Sequence, residues 1–148
     1  MAGLRFDKVN IVVPDVLAAS GFLRALGADV TATPADWADW AAHHVGIPAS
    51  QDGFDADLDS SPFAAHWGGL PAGFEGVVVS LSTEDRPAVD ATFARAVELG
   101  AETLRTPYDA FWGARYAIVR APGPLAVGIM SPIDPDRRGA PPAIPDFT

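Results

Sequence analysis

The chain has no cysteine, which excludes disulfides and thiolate metal sites and leaves a reducing cytosol compatible. Cations are also scarce: ten Lys and Arg against nineteen Asp and Glu give a net charge of −9. That balance argues against a phosphate-binding surface, so no nucleic-acid partner is expected. No apolar run approaches the roughly 20 residues a membrane span needs. The opening Met1-Ala2-Gly3-Leu4-Arg5-Phe6 lacks the apolar core of a signal peptide. A cytoplasmic protein with no membrane partner is the expectation. A Gly-rich phosphate loop, a Ser-His-Asp order with a nucleophile elbow and a pair of catalytic carboxylates are all unrecognisable. What the 148 residues do have is a 49% apolar content, enough for a packed core and too much for a disordered chain.

They also repeat. Leu26-Gly27-Ala28 recurs 73 positions later as Leu99-Gly100-Ala101, and Pro34/Pro107 and Asp36/Asp109 share that offset. Each Leu-Gly-Ala closes a helical stretch. In the first, Asp15 is placed to N-cap, Val16, Ala19, Leu23 and Leu26 share a face, and Gly27 supplies the left-handed C′ residue. In the second, Ser82 or Thr83 caps, Pro87 falls in the tolerated first turn, Val89, Phe93, Ala96 and Val97 form the stripe, and Gly100 ends it. Strands are predicted before the helices at 4–13 and 76–82, after each Gly-Ala, and again at 40–47, 53–59, 115–121 and 125–130. The order is β-α-β-β-β, twice, over halves of about 1–70 and 71–132, a duplication within one domain (1–132). Residues 133–148 are proline-rich and read as an extended tail lying on the surface or on a partner.

The stretches "VNIVVPDVLAASGFLRALGA" and "FWGARYAIVRAPGPLAVGIMSP" carry a resemblance that covers nearly the whole chain, about 4–132. They resemble the vicinal oxygen chelate superfamily of glyoxalase I, bleomycin-resistance and extradiol-dioxygenase proteins. The first is similar to its strand, Asp-led helix and Leu-Gly turn; the second to its Trp-Gly-x-Arg strand, turn and last strand. The resemblance implies an α+β fold in which two tandem βαβββ units form a cupped, mixed, mostly antiparallel sheet, often completed across a homodimer. The cup would hold a divalent metal, as in the enzymes, or a drug, as in the resistance proteins.

The family's metal ligands lie on the first and last strand of each half. Here those positions carry Lys8, a residue near Asp57, Val78 or a neighbour, and Gly128. An ammonium, one carboxylate, an aliphatic side chain and no side chain do not make a catalytic metal site, which needs at least three protein ligands. Neither a metal nor another cofactor is therefore expected. Lys8 and Asn10 alternate with Val9, Ile11 and Val13, so the aliphatic residues should face the helices and the polar pair the cup. Lys8 is then either an ordinary exposed lysine or the partner of Asp57 in an ion pair standing where the metal would. The neighbours His43 and His44 point to opposite faces of their strand. Either is a strand-edge or wall imidazole, a ligand-binding or acid–base group if it faces the cup, or a metal ligand. Asp52, Asp55, Asp57 and Asp59 read mostly as a solvated strand face, and Arg115 as the partner of Asp109. Trp40, Tyr108, Phe111 and Trp112 lie in loops or at strand starts, with Trp37, Phe54 and Trp67; such aromatics either cap a core or wall a pocket. Gly128 would clear side-chain volume from the cup.

Lys8, Asn10, Trp40, His44, Asp57, Tyr108, Phe111, Trp112 and Gly128 are thus the candidate ligand-binding residues. Three functions follow. One is a metal-free, dimeric binding protein that sequesters a small aromatic or hydrophobic molecule. Another is an enzyme of the superfamily, of lyase, isomerase or dioxygenase type, with unrecognised metal ligands or metal-free acid–base groups. The third is a subunit whose pocket is vestigial.

Overall fold

The computed structural model describes residues 3–26, 29–31, 37, 40–48, 55–71, 73–121 and 125–143. Its strands are β1 (Arg5–Val13), β2 (His44–Ile47), β3 (Asp55–Ser60), β4 (Gly76–Ser82), β5 (Glu102–Asp109), β6 (Arg115–Ala121) and β7 (Leu125–Met130). They form one seven-stranded sheet in the order β2-β3-β1-β4-β7-β6-β5. β1 runs parallel to β3, and β4 parallel to β7. The other four pairings are antiparallel, and β1 against β4 joins the halves.

Three helices complete the architecture: α1 (Val16–Ala25), α2 (Ser61–Gly68) and α3 (Arg86–Glu98). On one face of the sheet, Val16, Ala19 and Leu23 of α1 pack on Ile11, Val13, Val45 and Leu58. Val89 and Phe93 of α3 pack on Ala117 and Ile129. Leu26 does not join the α1 stripe and is 70% exposed. Asp15 caps α1 through the Ala18 N–H at 2.9 Å. The cap of α3 is Asp85, which accepts from the Ala88 N–H, and not Ser82 or Thr83. Gly100, at φ +96°, turns the chain out of α3 as expected.

The halves differ where the first should have its second strand. Gly27, Ala28 and residues 32–36 lie outside the described residues. Within 29–31, Thr31 alone joins the sheet edge, its N–H donating to Gly46 O at 2.9 Å. The predicted strand at 40–47 begins later: Trp40–Ala42 is a 3-10 turn and pairing starts at His44. The first half also carries α2, which the repeat does not predict. Ser60 caps it and accepts from the Phe63 N–H, and Gly69 leaves it in the left-handed conformation.

α2 lies on the opposite, inner face. Phe63, Ala64 and Trp67 pack there against Val12, Val78, Ile118 and Ala126, the largest core cluster. Arg115 anchors the outer face: Asp90 of α3 takes two of its hydrogen bonds, at 2.7 and 3.2 Å, and Asp109 a longer third at 3.4 Å. Asp109 is held in turn by Arg86.

Residues 133–143 fold back as a strap over the 110–113 turn. Asp134 N–H donates to Gly113 O at 3.0 Å and Gly139 N–H to Phe111 O at 2.7 Å. Gly113 sits at φ +98°, and a Cβ there would collide with the Asp134 carbonyl. The left-handed strain alone costs roughly 1–3 kcal/mol. Gly113→Ala is therefore expected to loosen the strap, making trypsin cleavage after Arg137 or Arg138 about tenfold faster at about 1.4 kcal/mol per factor of ten. Unchanged cleavage would mean that the turn does not hold it.

Candidate functional site

Strand alternation puts Lys8 and Asn10 of β1 on the inner face with Asp57 and Asp59 of β3 and His44 of β2, all bordering one cavity. The side chains are tied together. Lys8 Nζ donates to Asp57 Oδ2 at 3.2 Å. Asn10 Nδ2 donates to Asp59 Oδ2 at 2.8 Å and to Asp57 Oδ2 at 3.4 Å. His44 Nδ1 meets Asp59 Oδ1 at 2.6 Å. Asp59 is 1% exposed, so the acidic run is not a solvated face at this position.

The charges follow from this packing. Burial opposes the Lys8 ammonium, but the charge and hydrogen bond of Asp57 outweigh it and raise its pKa. Burial, followed by the nearby Asp59 charge, raises Asp57 despite Lys8 and His44. For His44, burial favours the neutral ring, yet the Asp59 hydrogen bond and charge win and lift it above its ordinary 6.5. A raised histidine contributes stability that is fully present below about pH 6.5 and is lost as pH rises through its folded value. Raised Asp57 acts in the same direction, because its ionisation in the fold becomes unfavourable as pH climbs above the ordinary carboxylate range. The melting temperature should therefore fall between pH 6 and 8, and His44→Gln should flatten that slope; an equal slope in the variant would assign the effect elsewhere.

Aromatic rings form the rest of the wall. Trp37, Phe63, Trp67, Trp112 and Tyr116 border the cavity, together with Ile133 and Arg138 of the strap. Its volume is about 210 Å³. Arg138 stands 5.1 Å over the Trp37 ring and donates to Trp112 O. The rings meet tilted or edge to face: Trp37–Phe111 at 5.2 Å, Trp40–Phe63 at 4.9 Å, Trp112–Tyr116 at 5.6 Å.

Of the nine candidates, Lys8, Asn10, His44, Asp57 and Trp112 border the cavity. Trp40 and Phe111 stand behind Phe63. Tyr108 braces the wall from behind: its hydroxyl donates to Trp67 O at 3.0 Å, Arg105 covers its ring, and burial pushes its phenol up to about 12. Gly128 is placed differently from the expectation. A Cβ there would collide with the Tyr116 hydroxyl, so the volume it clears is filled by that phenol and not left open. His43 supports α2, its Nδ1 lying 2.7 Å from the Ser60 hydroxyl that caps the helix. His66 lies in α2, and burial followed by the Arg105 charge lowers its pKa.

Sequence reasoning missed Ser80, Asp59 and Tyr116. Strand register puts Ser80 opposite both Lys8 and Gly128, so Ser80 stands at the level assigned to Val78. Val78, on the same face, is wholly buried in the core. The four family positions thus hold an ammonium already paired to the one carboxylate, a serine, and a glycine covered by a phenol. That set does not fit a divalent ion, and among the described residues no three His, Asp or Glu side chains converge as metal ligands.

The sequence profile of the Glyoxalase/Bleomycin resistance protein/Dioxygenase superfamily matches residues 5–129, and the chain belongs to that superfamily. Among curated protein sequences none matches. The fold is similar to a Legionella pneumophila structure described as an NAD-dependent benzaldehyde dehydrogenase, with 11% identity, TM-score 0.62, and 84% of this chain and 96% of that one covered. It is similar to Streptomyces coelicolor methylmalonyl-CoA epimerase in complex with 2-nitronate-propionyl-CoA, with 20% identity, TM-score 0.54 and coverages of 88% and 95%. It also resembles the Mn(II)-bound glyoxalase from Novosphingobium aromaticivorans, with 16% identity, TM-score 0.55 and 95% of this chain covered but only 41% of that one. At these identities the likeness is one of fold. Among the described residues no helix is long and apolar enough to cross a membrane.

Proposed function

We propose that this protein binds a small aromatic or hydrophobic molecule in the inner-face cavity without a metal ion, and acts by sequestering it. The observation that carries this reading is the aromatic wall around about 210 Å³, floored by side chains already paired with one another. A dry cavity of about 150 Å³ accepts benzene, so one substituted ring is the matching size. Burying roughly 150–200 Å² of ring yields about 4–5 kcal/mol, a Kd on the order of 1 mM. Titration of tryptophan fluorescence with monocyclic aromatics to several millimolar tests this. Saturable quenching that weakens in Trp112→Ala supports it, and no response from any ring compound sinks it.

A second reading, an acid–base enzyme of the superfamily, is favoured by one observation. A carboxyl and an imidazole, Asp57 and His44, both with raised pKa, border the same cavity, the pair of group types that acid–base catalysis uses. Deuterium uptake from D₂O into the methyl group of bound acetophenone, faster than in buffer and lost in Asp57→Asn, would establish it; exchange at the buffer rate would leave sequestration.

A further inference from the structure

The polar groups around the cavity divide into two kinds. The carboxylates have partners: Asp57 accepts from Lys8 and Asn10, and Asp59 from Asn10 while meeting His44. Three neutral donors have none among the described residues. The Trp37 indole N–H is buried without an acceptor. The Ser80 and Tyr116 hydroxyls have no hydrogen-bond partner among the described residues either, but unlike the Trp37 N–H they are not sealed off: both residues line the cavity. All three residues border the cavity. A buried donor left unsatisfied is costly, which applies to the Trp37 N–H, while the two hydroxyls stand open to whatever enters the cavity.

Two of the donors share a place. Ser80 pairs with Gly128 across β4 and β7, and the Tyr116 phenol lies over Gly128. Lys8 is level with Ser80 on the other side. Burial, with smaller contributions from Tyr108 and Asp59, raises Tyr116 well above its ordinary pKa, so the phenol keeps its proton to donate. The position where the superfamily's enzymes put a metal therefore presents hydroxyl protons.

Resting on the binding reading above, we infer that the ligand is a single aromatic ring carrying a carbonyl-type oxygen, and that the Tyr116 and Ser80 hydroxyls receive that oxygen. The Trp37 N–H offers a further donor to any second acceptor on the ring.

Acetophenone and α-methylstyrene test the inference, because they differ in one group: C=O against C=CH₂. In fluorescence titrations acetophenone should bind about tenfold more tightly, the worth of one hydrogen bond to a buried donor. Tyr116→Phe keeps the ring over Gly128 and removes only the hydroxyl. It should weaken acetophenone five- to tenfold while leaving α-methylstyrene within twofold, and Ser80→Ala should act in the same sense should the first variant fold poorly. Equal affinity of the two probes for the native protein overturns the inference and leaves the binding reading standing. So does an equal loss for both in the variants. Absence of binding by either probe overturns both.

Discussion

Asp59→Ala is expected to lower the unfolding free energy by about 3 kcal/mol at neutral pH, and by more at pH 5.5. Asp59 is 1% exposed and meets both His44 and Asn10. Removing one partner of a buried pair costs about 3–5 kcal/mol, because the other is left uncompensated. Here the remaining histidine can lose its proton near pH 7, which limits the loss to the lower end. At pH 5.5 most of the unfolded state's histidine is charged, and the fold must keep a buried imidazolium or discharge it. Urea unfolding at the two pH values measures the difference. A loss that is small or independent of pH would show that Asp59 does not hold the His44 charge. Against a typical total of 5–15 kcal/mol, a loss of this size leaves a marginal protein.

Phe63→Ala is expected to cost about 3–5 kcal/mol and to widen the cavity. Phe63 is 3% exposed, and its ring meets Trp37, Trp40, His44, Phe111 and Trp112. It fixes α2 on the inner face and is part of the cavity wall, so stability and ligand size should change together. Thermal unfolding gives the first effect. Titration with a bicyclic aromatic such as naphthalene gives the second: binding gained in the variant and weak or absent in the native protein. A stable variant with native ligand preference would mean that α2 seals the cavity without this ring.

The second half was the more legible. Residues 115–121 and 125–130 match β6 and β7, because each is a short, mostly apolar run and Ala121-Pro122-Gly123-Pro124 separates them. Pro122, Gly123 and Pro124 themselves lie outside the described residues. The polar and aliphatic faces of β1 were readable from the alternation of Lys8 and Asn10 with Val9, Ile11 and Val13, while the Lys8–Asp57 pair stood only as one of two alternatives. α2 was missed although its signals are present, with Ser60 as the cap, Pro62 in the first turn and Gly69 beyond the end. Eight residues are too few for a helical stripe to stand out. Ser80 was missed because an offset between repeats fixes a neighbourhood, while level across a sheet is set by register. Tyr116 over Gly128 is a volume exchange between β6 and β7, and no spacing in the sequence encodes it. Asp59 shows the same limit: alternation groups it with Asp57, but only the strand pairing and α2 show that this face is covered.

The central proposal is that the cavity binds its ligand without a metal ion. Titration of acetophenone into the protein before and after exhaustive EDTA dialysis tests this most directly, with tryptophan fluorescence as the readout. The same dissociation constant in both samples, within twofold, is predicted. Binding that disappears on chelation and returns when a divalent transition metal is added back would contradict the assignment of Lys8, Asp57, Ser80 and Tyr116 as the groups that replace the metal.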